Sequence, residues 1–170
     1  MKNYSIIVLP LARWEEYRTL RLEALQVEPY AFGKSYEEEV ENSSEVWQNK
    51  LTQNSDLGFY LFAESGGKLI GMIGCDYETK LKIRHIATLK AYYVSINARS
   101  QGIGRVLLEV SLKRIKKIQK IHKIRLSVNV LQTKAIALYK KFGFEQVGYF
   151  KDELFVEGKY LDQIMMEKFL

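Results

Sequence analysis

Apolar residues recur along this chain with two periods, and the switch between them divides it into regions. Ser5–Leu9 is a short apolar run closed by Pro10 and reads as a strand. Leu11–Val27 places Trp14, Tyr17, Leu20, Leu22 and Leu25 among the apolar positions of an amphipathic helix, which Pro29 ends. Tyr36–Leu51 is acidic at its start and carries Val40, Val46, Trp47 and Leu51. It reads as one or two short helices, with Asn42-Ser43-Ser44 as a break or cap. From Leu57 the period shortens: Leu57–Glu64 and Lys68–Tyr77 are β-rich runs joined by Gly66-Gly67, a hairpin signal. Ile86–Ser95 alternates Ile86, Thr88, Lys90, Tyr92 and Val94 against Ala87, Leu89, Ala91 and Tyr93. Apolar residues on both sides predict a central strand covered on both faces.

Gly102 opens a helix to about Gln119, and Arg125–Val130 reads as another strand. Thr133 reads as the N-cap of a short helix whose stripe is Ala135, Leu138, Tyr139 and Phe142, with Gly143 at its left-handed end. Glu145–Phe150 and Leu161–Phe169 read as two final strands flanking a connection that contains Gly158. This element order predicts an α/β (α+β) sandwich of mixed sheet and helices, with no regular βαβ repeat. No repeat, low-complexity tract or Pro/Ser-rich linker interrupts residues 1–170, which read as one domain.

Composition narrows the classes. The 170 residues are 47% hydrophobic and 27% charged, which excludes an intrinsically disordered chain. A single cysteine, Cys75, allows no intrachain disulfide, and its β-rich surroundings predict a buried, inert thiol. The N-terminal apolar run is too short for a secretory leader, and no stretch approaches the roughly 20 apolar residues of a membrane span. A cytoplasmic protein without a membrane partner is expected. Much of the net charge of +6 lies in Lys113, Arg114, Lys116, Lys117, Lys120, Lys123 and Arg125. It reads as a solvated helix face, with cations near the negative end of the helix dipole. A nucleic-acid-binding domain would rest on that charge alone, and no recognition motif accompanies it. Neither nucleic acid nor a metal is expected as a partner.

The stretch richest in chemistry runs Tyr92-Tyr93-Val94-Ser95-Ile96-Asn97-Ala98-Arg99-Ser100-Gln101-Gly102-Ile103-Gly104-Arg105. A strand enters a short loop, and glycines open a helix whose first N–H groups lack acceptors; such a junction suits a pyrophosphate. The dinucleotide pattern fails because position 107 is Leu, and the nucleotide P-loop fails because Gly104 is followed by Arg105-Val106. What remains, Arg/Gln-x-x-Gly-x-Gly after a strand, resembles the acetyl-CoA-binding motif of the GCN5-related N-acetyltransferase (GNAT) superfamily. A second block, Thr133-Lys-Ala135-Ile136-Ala-Leu138-Tyr139-Lys-Lys-Phe142-Gly143-Phe144, resembles that superfamily's Ala-Ile-x-Leu-Tyr-x-x-x-Gly-Phe segment. The ending, Glu157-Gly-Lys-Tyr160 through Met165-Met166-Glu167-Lys, resembles its closing strand.

The resemblance implies a mostly antiparallel central sheet of about six or seven strands, helices on both faces and two splayed parallel strands in the middle. It also implies an N-acetyltransferase in which an amine of a small molecule, peptide or protein attacks acetyl-CoA directly through a tetrahedral intermediate. Backbone groups of Tyr93, Val94 and Ser95 would bind the pantetheine arm, with Ile96 at the edge of that set. Arg99, Ser100, Gln101, Gly102, Ile103, Gly104 and Arg105 would wrap the pyrophosphate, and the Val94 N–H would hold the oxyanion. Tyr139 would be the general acid toward the departing thiolate; an ordinary phenol, with pKa about 10, keeps its proton at neutral pH. Homodimers are frequent among such folds, so a homodimer stays open.

Two departures from the family pattern stand out. Gln132 occupies the place of a common Asn that reaches the pantetheine, with Asn129 as a second amide nearby. Thr88 stands where histone-acetylating members carry a basic Glu, so the base is unassigned among Glu64, Asp76, Glu78, His85 and a water relay. The acceptor pocket is expected from Tyr30, Phe32 and Tyr36 on one side and Tyr149, Phe150 and Tyr160 on the other. Glu37–Glu39 read as negative charge favouring a first helical turn rather than as an amine site. A non-catalytic acyl-CoA-binding sensor or interaction module is the alternative function.

Overall fold

The computed structural model describes residues 3–52 and 57–170. Met1 and Lys2, which head the segment weighed above as a leader, lie outside the described residues. The elements are β1 (Ser5–Ile7), α1 (Trp14–Val27), α2 (Tyr36–Val40), α3 (Ser44–Thr52), β2 (Gly58–Ser65), β3 (Lys68–Tyr77) and β4 (Ile86–Val94), followed by α4 (Ile103–Lys116), β5 (Lys123–Asn129), α5 (Thr133–Lys141), β6 (Glu145–Val156) and β7 (Lys159–Phe169). Seven strands form one sheet in the order β1-β2-β3-β4-β5-β7-β6, antiparallel throughout except for β4 beside β5.

Both faces of the sheet are covered, as the two-sided apolar content of its central strands requires. On one face Phe59, Leu61, Ile73, Leu89 and Leu126 pack against Ile103, Leu107, Leu108 and Ile115 of α4 and Tyr139 of α5. On the other, Tyr60, Phe62, Met72 and Tyr93 pack against Tyr17, Leu20 and Leu25 of α1 and Trp47 and Leu51 of α3. A break at Asn42-Ser43 separates α2 from α3, as the sequence suggests. Ser35 caps α2 reciprocally: its Oγ accepts from the Glu38 N–H at 3.3 Å, and its own N–H donates to the Glu38 carboxylate at 2.7 Å.

Two features of β4 shape the molecule. Met72 pairs with Tyr93 and Gly74 with Lys90, so Ile73 alone opposes both Ala91 and Tyr92, a β-bulge with Ala91 at φ 50°. The uninterrupted alternation expected for Ile86–Ser95 is therefore corrected. Beyond the bulge the phase inverts. Tyr92 and Val94 join the α4/α5 face with Ala87 and Leu89, while Ala91 and Tyr93 face α1. The second feature is the short parallel contact: β4 and β5 pair only at Ile86–Thr88 against Lys123–Arg125 and then part.

Other boundaries also move. Thr133 is the first residue of α5, and Gln132 stands at the cap position without a side-chain bond, so the N-cap expectation for Thr133 is corrected. Helix α4 ends at Lys116 rather than near Gln119. β6 continues to Val156 and β7 begins at Lys159, with Glu157 and Gly158 at φ 50° and 77° forming the two-residue turn. A register shift between Phe150 and Leu154, with Asp152 at φ 56°, breaks the alternation along β6.

Candidate active site

Where β4 and β5 part, a cleft of about 650 Å³ opens. Its walls are Leu89–Val94 of β4, Leu126–Val128 of β5, the loop and first turn of α4, and the start of α5. Backbone geometry sets its chemistry. The Ser95 N–H donates to the Ile70 carbonyl at 3.0 Å, so the antiparallel ladder turns the peptide groups of Ser95 toward β3 and those of Val94 toward the gap. Consistent with that phase, Arg99 Nε donates to the Val94 carbonyl at 3.0 Å.

The glycine loop adds an anion-binding end. Gly102 caps α4 at φ 77°, a left-handed conformation natural to glycine, and offers no side chain to the helix's first amides. No acidic residue occupies the first turn, so the N–H groups of Ile103, Gly104 and Arg105 open the helix without a side-chain acceptor. Among the described residues, Lys90, Arg99, Arg105 and Lys134 line the cleft as cations, against one carboxylate, Glu28. That balance favours a polyanionic ligand.

Tyr139 is buried on the stripe of α5, its ring 5.9 Å from those of Tyr92 and Phe144. Burial, and then the neighbouring Tyr92, push its phenol well above the ordinary range. Tyr139 therefore keeps its phenolic proton at neutral pH. Burial raises the Tyr92 phenol in the same way.

Of the residues proposed from sequence, Tyr93, Val94, Arg99, Ser100, Gly102, Ile103, Gly104, Arg105, Gln132, Tyr139 and Phe32 all line this one cleft. Ser95 and Gln101 do not; the Gln101 amide lies 3.5 Å from the Asn97 carbonyl. Asn129 is wholly buried outside the lining, and its Oδ1 accepts from the Leu131 N–H at 2.9 Å. Tyr36 packs in the α1/α3 core instead, and Tyr149 and Tyr160 stand exposed on the β6–β7 hairpin. Tyr149 bonds Asp162, and the Tyr160 ring packs at a tilt against Phe155, with centroids 4.9 Å apart.

The four base candidates also lie outside the lining. Glu64 pairs with Arg13 at 2.5 Å, Asp76 with Lys90 at 2.6 Å and Glu78 with Arg125 at 2.5 Å, while His85 precedes β4. Sequence reasoning missed Glu28 and Tyr92. Glu28 sits in no motif, and the bulge reverses the side on which simple alternation places Tyr92. Tyr30, also in the lining, donates to the Glu157 carboxylate and so ties the turn Pro29–Ala31 to the tip of the β6–β7 hairpin. Among the described residues no group of three or more His, Cys, Asp or Glu side chains is placed to hold a metal, and no helix is long and apolar enough to cross a membrane.

Comparison with known proteins agrees with this geometry. A sequence model of the acetyltransferase (GNAT) family matches residues 14–144. The spermidine N(1)-acetyltransferase of Vibrio cholerae is 28% identical over 147 residues, 83% of this chain and 81% of that protein. An L-amino acid N-acetyltransferase of Escherichia coli is 25% identical over 164 residues, 96% of this chain and 98% of that one. The fold is shared with a GNAT-superfamily phosphinothricin acetyltransferase from Sinorhizobium meliloti solved in complex with acetyl-CoA. The TM-score is 0.84 at 20% identity, over 99% of this chain and 89% of that one.

Proposed function

The chain belongs to the acetyltransferase (GNAT) family, and from that premise we propose that it moves an acetyl group from acetyl-CoA to a primary amine by direct attack of the amine. The observation that carries the reading is one cleft holding the outward peptide groups of Val94, the uncapped start of α4 and the buried phenol of Tyr139. Acetyl-CoA supplies the activated acyl carbon and a thiolate leaving group. Its pyrophosphate fits the amides of Ile103–Arg105 and the cations of the lining. Its extended arm fits the unpaired edge of β4, with Gln132 in the lining of the same cavity.

The chain's own groups then divide the work. The Val94 N–H stabilises negative charge as it develops on the carbonyl oxygen; one such donor is worth about 3 kcal/mol in comparable sites. The acceptor attacks as the neutral amine, and its nitrogen releases one proton to solvent through water as the amide forms, while the Tyr139 hydroxyl gives its proton to the departing sulfur. The phenol recovers a proton from solvent after release. Phe32 forms part of the acceptor side of the cleft, whereas Tyr36, Tyr149 and Tyr160 lie outside the lining and take no part in this reading.

The relatives act on spermidine and on L-amino acids by name, so the acceptor is proposed to be a small-molecule or peptide amine. Release of free thiol from acetyl-CoA should be followed with spermidine, individual L-amino acids and a short peptide bearing a free N-terminus. Amine-dependent release with at least one of them is expected. Tight CoA binding without release on any amine would favour an acyl-CoA-binding module instead.

A further inference from the structure

We propose that Glu28 is the carboxylate that receives the ammonium group of the acceptor, and that Arg99 covers it until a donor phosphate draws the guanidinium away. The proposal rests on reading the cleft as the acyl-donor site.

Glu28 follows the last turn of α1, with its N–H bonded to the Ala24 carbonyl at 2.9 Å. Among the described residues it is the only carboxylate that lines the cleft. A cationic acceptor entering the cleft meets Arg105 and Lys134, Lys90 being paired with Asp76, and among the described lining residues Glu28 offers the one opposing charge. The other acids considered for the chemistry are paired outside the lining with Arg13, Lys90 and Arg125.

Arg99 already displays the contacts a cation finds there. Its Nη2 lies 2.8 Å from Glu28 Oε1, and its guanidinium carbon sits 5.8 Å from the centre of the Tyr93 ring. Tyr93 in turn donates to Glu23 at 2.9 Å, which fixes the ring. Tyr30 and Phe32 also line the cleft, the Phe32 ring being covered by Arg21, so the Tyr93 ring is the aromatic face that accompanies the Arg99–Glu28 pair.

This cover is removable. The side chains of Arg99 and Glu28 are 41% and 31% exposed, and ion pairs so exposed shift an equilibrium by only about two- to fivefold. Arg99 Nε also occupies the Val94 carbonyl, the acceptor that an extended donor arm needs. A pyrophosphate at the start of α4 competes for the same guanidinium with more charge and more acceptor oxygens. Donor binding therefore frees both the Val94 peptide and the Glu28 carboxylate, and no covalent step is involved.

Two variants test this. Calorimetric titration with CoA, without any acceptor, should show Glu28→Gln binding about two- to fivefold tighter than wild type, because Arg99 is released from its intramolecular partner. Arg99→Gln should bind CoA more weakly than wild type. At saturating acetyl-CoA, with spermidine or whichever amine of the panel is turned over, Glu28→Gln should raise the amine KM about tenfold and leave kcat within about threefold. Glu28→Asp should recover part of that loss. An unchanged amine KM in Glu28→Gln, or CoA binding that is unchanged or weaker, overturns the inference. A wild-type protein that neither binds CoA nor releases thiol overturns the donor-site reading first.

Discussion

A methyl group added at residue 104 would fall 2.2 Å from the Tyr92 hydroxyl and 3.2 Å from its Cζ. Gly104 is thus required by a side chain as much as by a phosphate. Gly102, by contrast, has open space around its Cα and is needed for its φ of 77°. Gly104→Ala must displace the Tyr92 hydroxyl end, and overpacking of this kind costs about 1–3 kcal/mol. Tyr92→Phe removes the nearest clashing atom, so the double variant should be destabilised by less than the sum of the singles in denaturant unfolding. Strict additivity would show that Gly104 does not owe its identity to Tyr92. At this scale the glycine spacing was legible, because a helix opening after a strand needs few residues to specify it. The reason for the second glycine was not: one bulged residue, Ala91, turns Tyr92 to the other face, and no local signal in Lys90-Ala91-Tyr92-Tyr93 announces it. Glu28 was equally silent, since only its ion pair with Arg99 and its place in the lining distinguish it.

Between elements, the vertex of the splayed strands is held by one side chain. Arg125 on β5 bonds Thr88 Oγ1 at 3.2 Å across the last parallel pair and Glu78 Oε1 at 2.5 Å beyond the end of β3. Thr88 therefore serves as an anchor for this clamp. Because both ends of the ion pair are about 30% exposed, Arg125→Met should cost only about 1 kcal/mol. Its clearer effect should be weaker CoA binding as the angle between β4 and β5 relaxes, measured by calorimetry. Unchanged affinity would remove Arg125 from the shaping of the cleft.

The three N-terminal helices are tied by a second polar device. Glu39 is buried and pairs with Arg21 at 3.0 Å and Lys50 at 3.2 Å, while Arg21 lies 4.4 Å over the ring of Phe32. Burial is the largest single influence on this carboxyl and pushes its pKa up, but Arg21 and Lys50 together outweigh it and hold the group below its ordinary 4.5. A depressed folded-state pKa gives stability that is complete above about 4.5 and is lost as pH falls through the lower folded value. Glu39→Gln should cost about 3 kcal/mol at neutral pH and flatten the acid limb of the stability profile, as read from denaturation midpoints. An acid limb identical to wild type would mean that Glu39 carries no such linkage.

Helices α1, α3 and α4 were legible because their apolar stripes are long enough to fix the period. The β6–β7 hairpin was misread as two shorter strands because Asp152 interrupts β6 and most of its side chains face solvent, leaving no stripe to follow.

Across the whole molecule, one sheet separates two cores, and β4 borders both. Tyr93 belongs to the α1 side, and Tyr92 and Val94 to the α4/α5 side. Strand order is set by pairings between residues far apart in sequence, such as Ile86 with Lys123 and Asn129 with Gln163. Periodicity alone is blind to those pairings. The two motif blocks implied the arrangement only through their resemblance to a family, and the sheet follows it. The cleft exists because the pairing of β4 with β5 stops after Thr88, and Tyr139 faces that opening from the far wall. The most direct test is the turnover number of Tyr139→Phe at saturating acetyl-CoA and saturating amine, with CoA affinity measured on the same preparation. A fall of about 100-fold or more in kcat with CoA affinity within about threefold of wild type is the predicted result. An undiminished kcat would contradict the assignment of Tyr139 as the acid that protonates the departing thiolate.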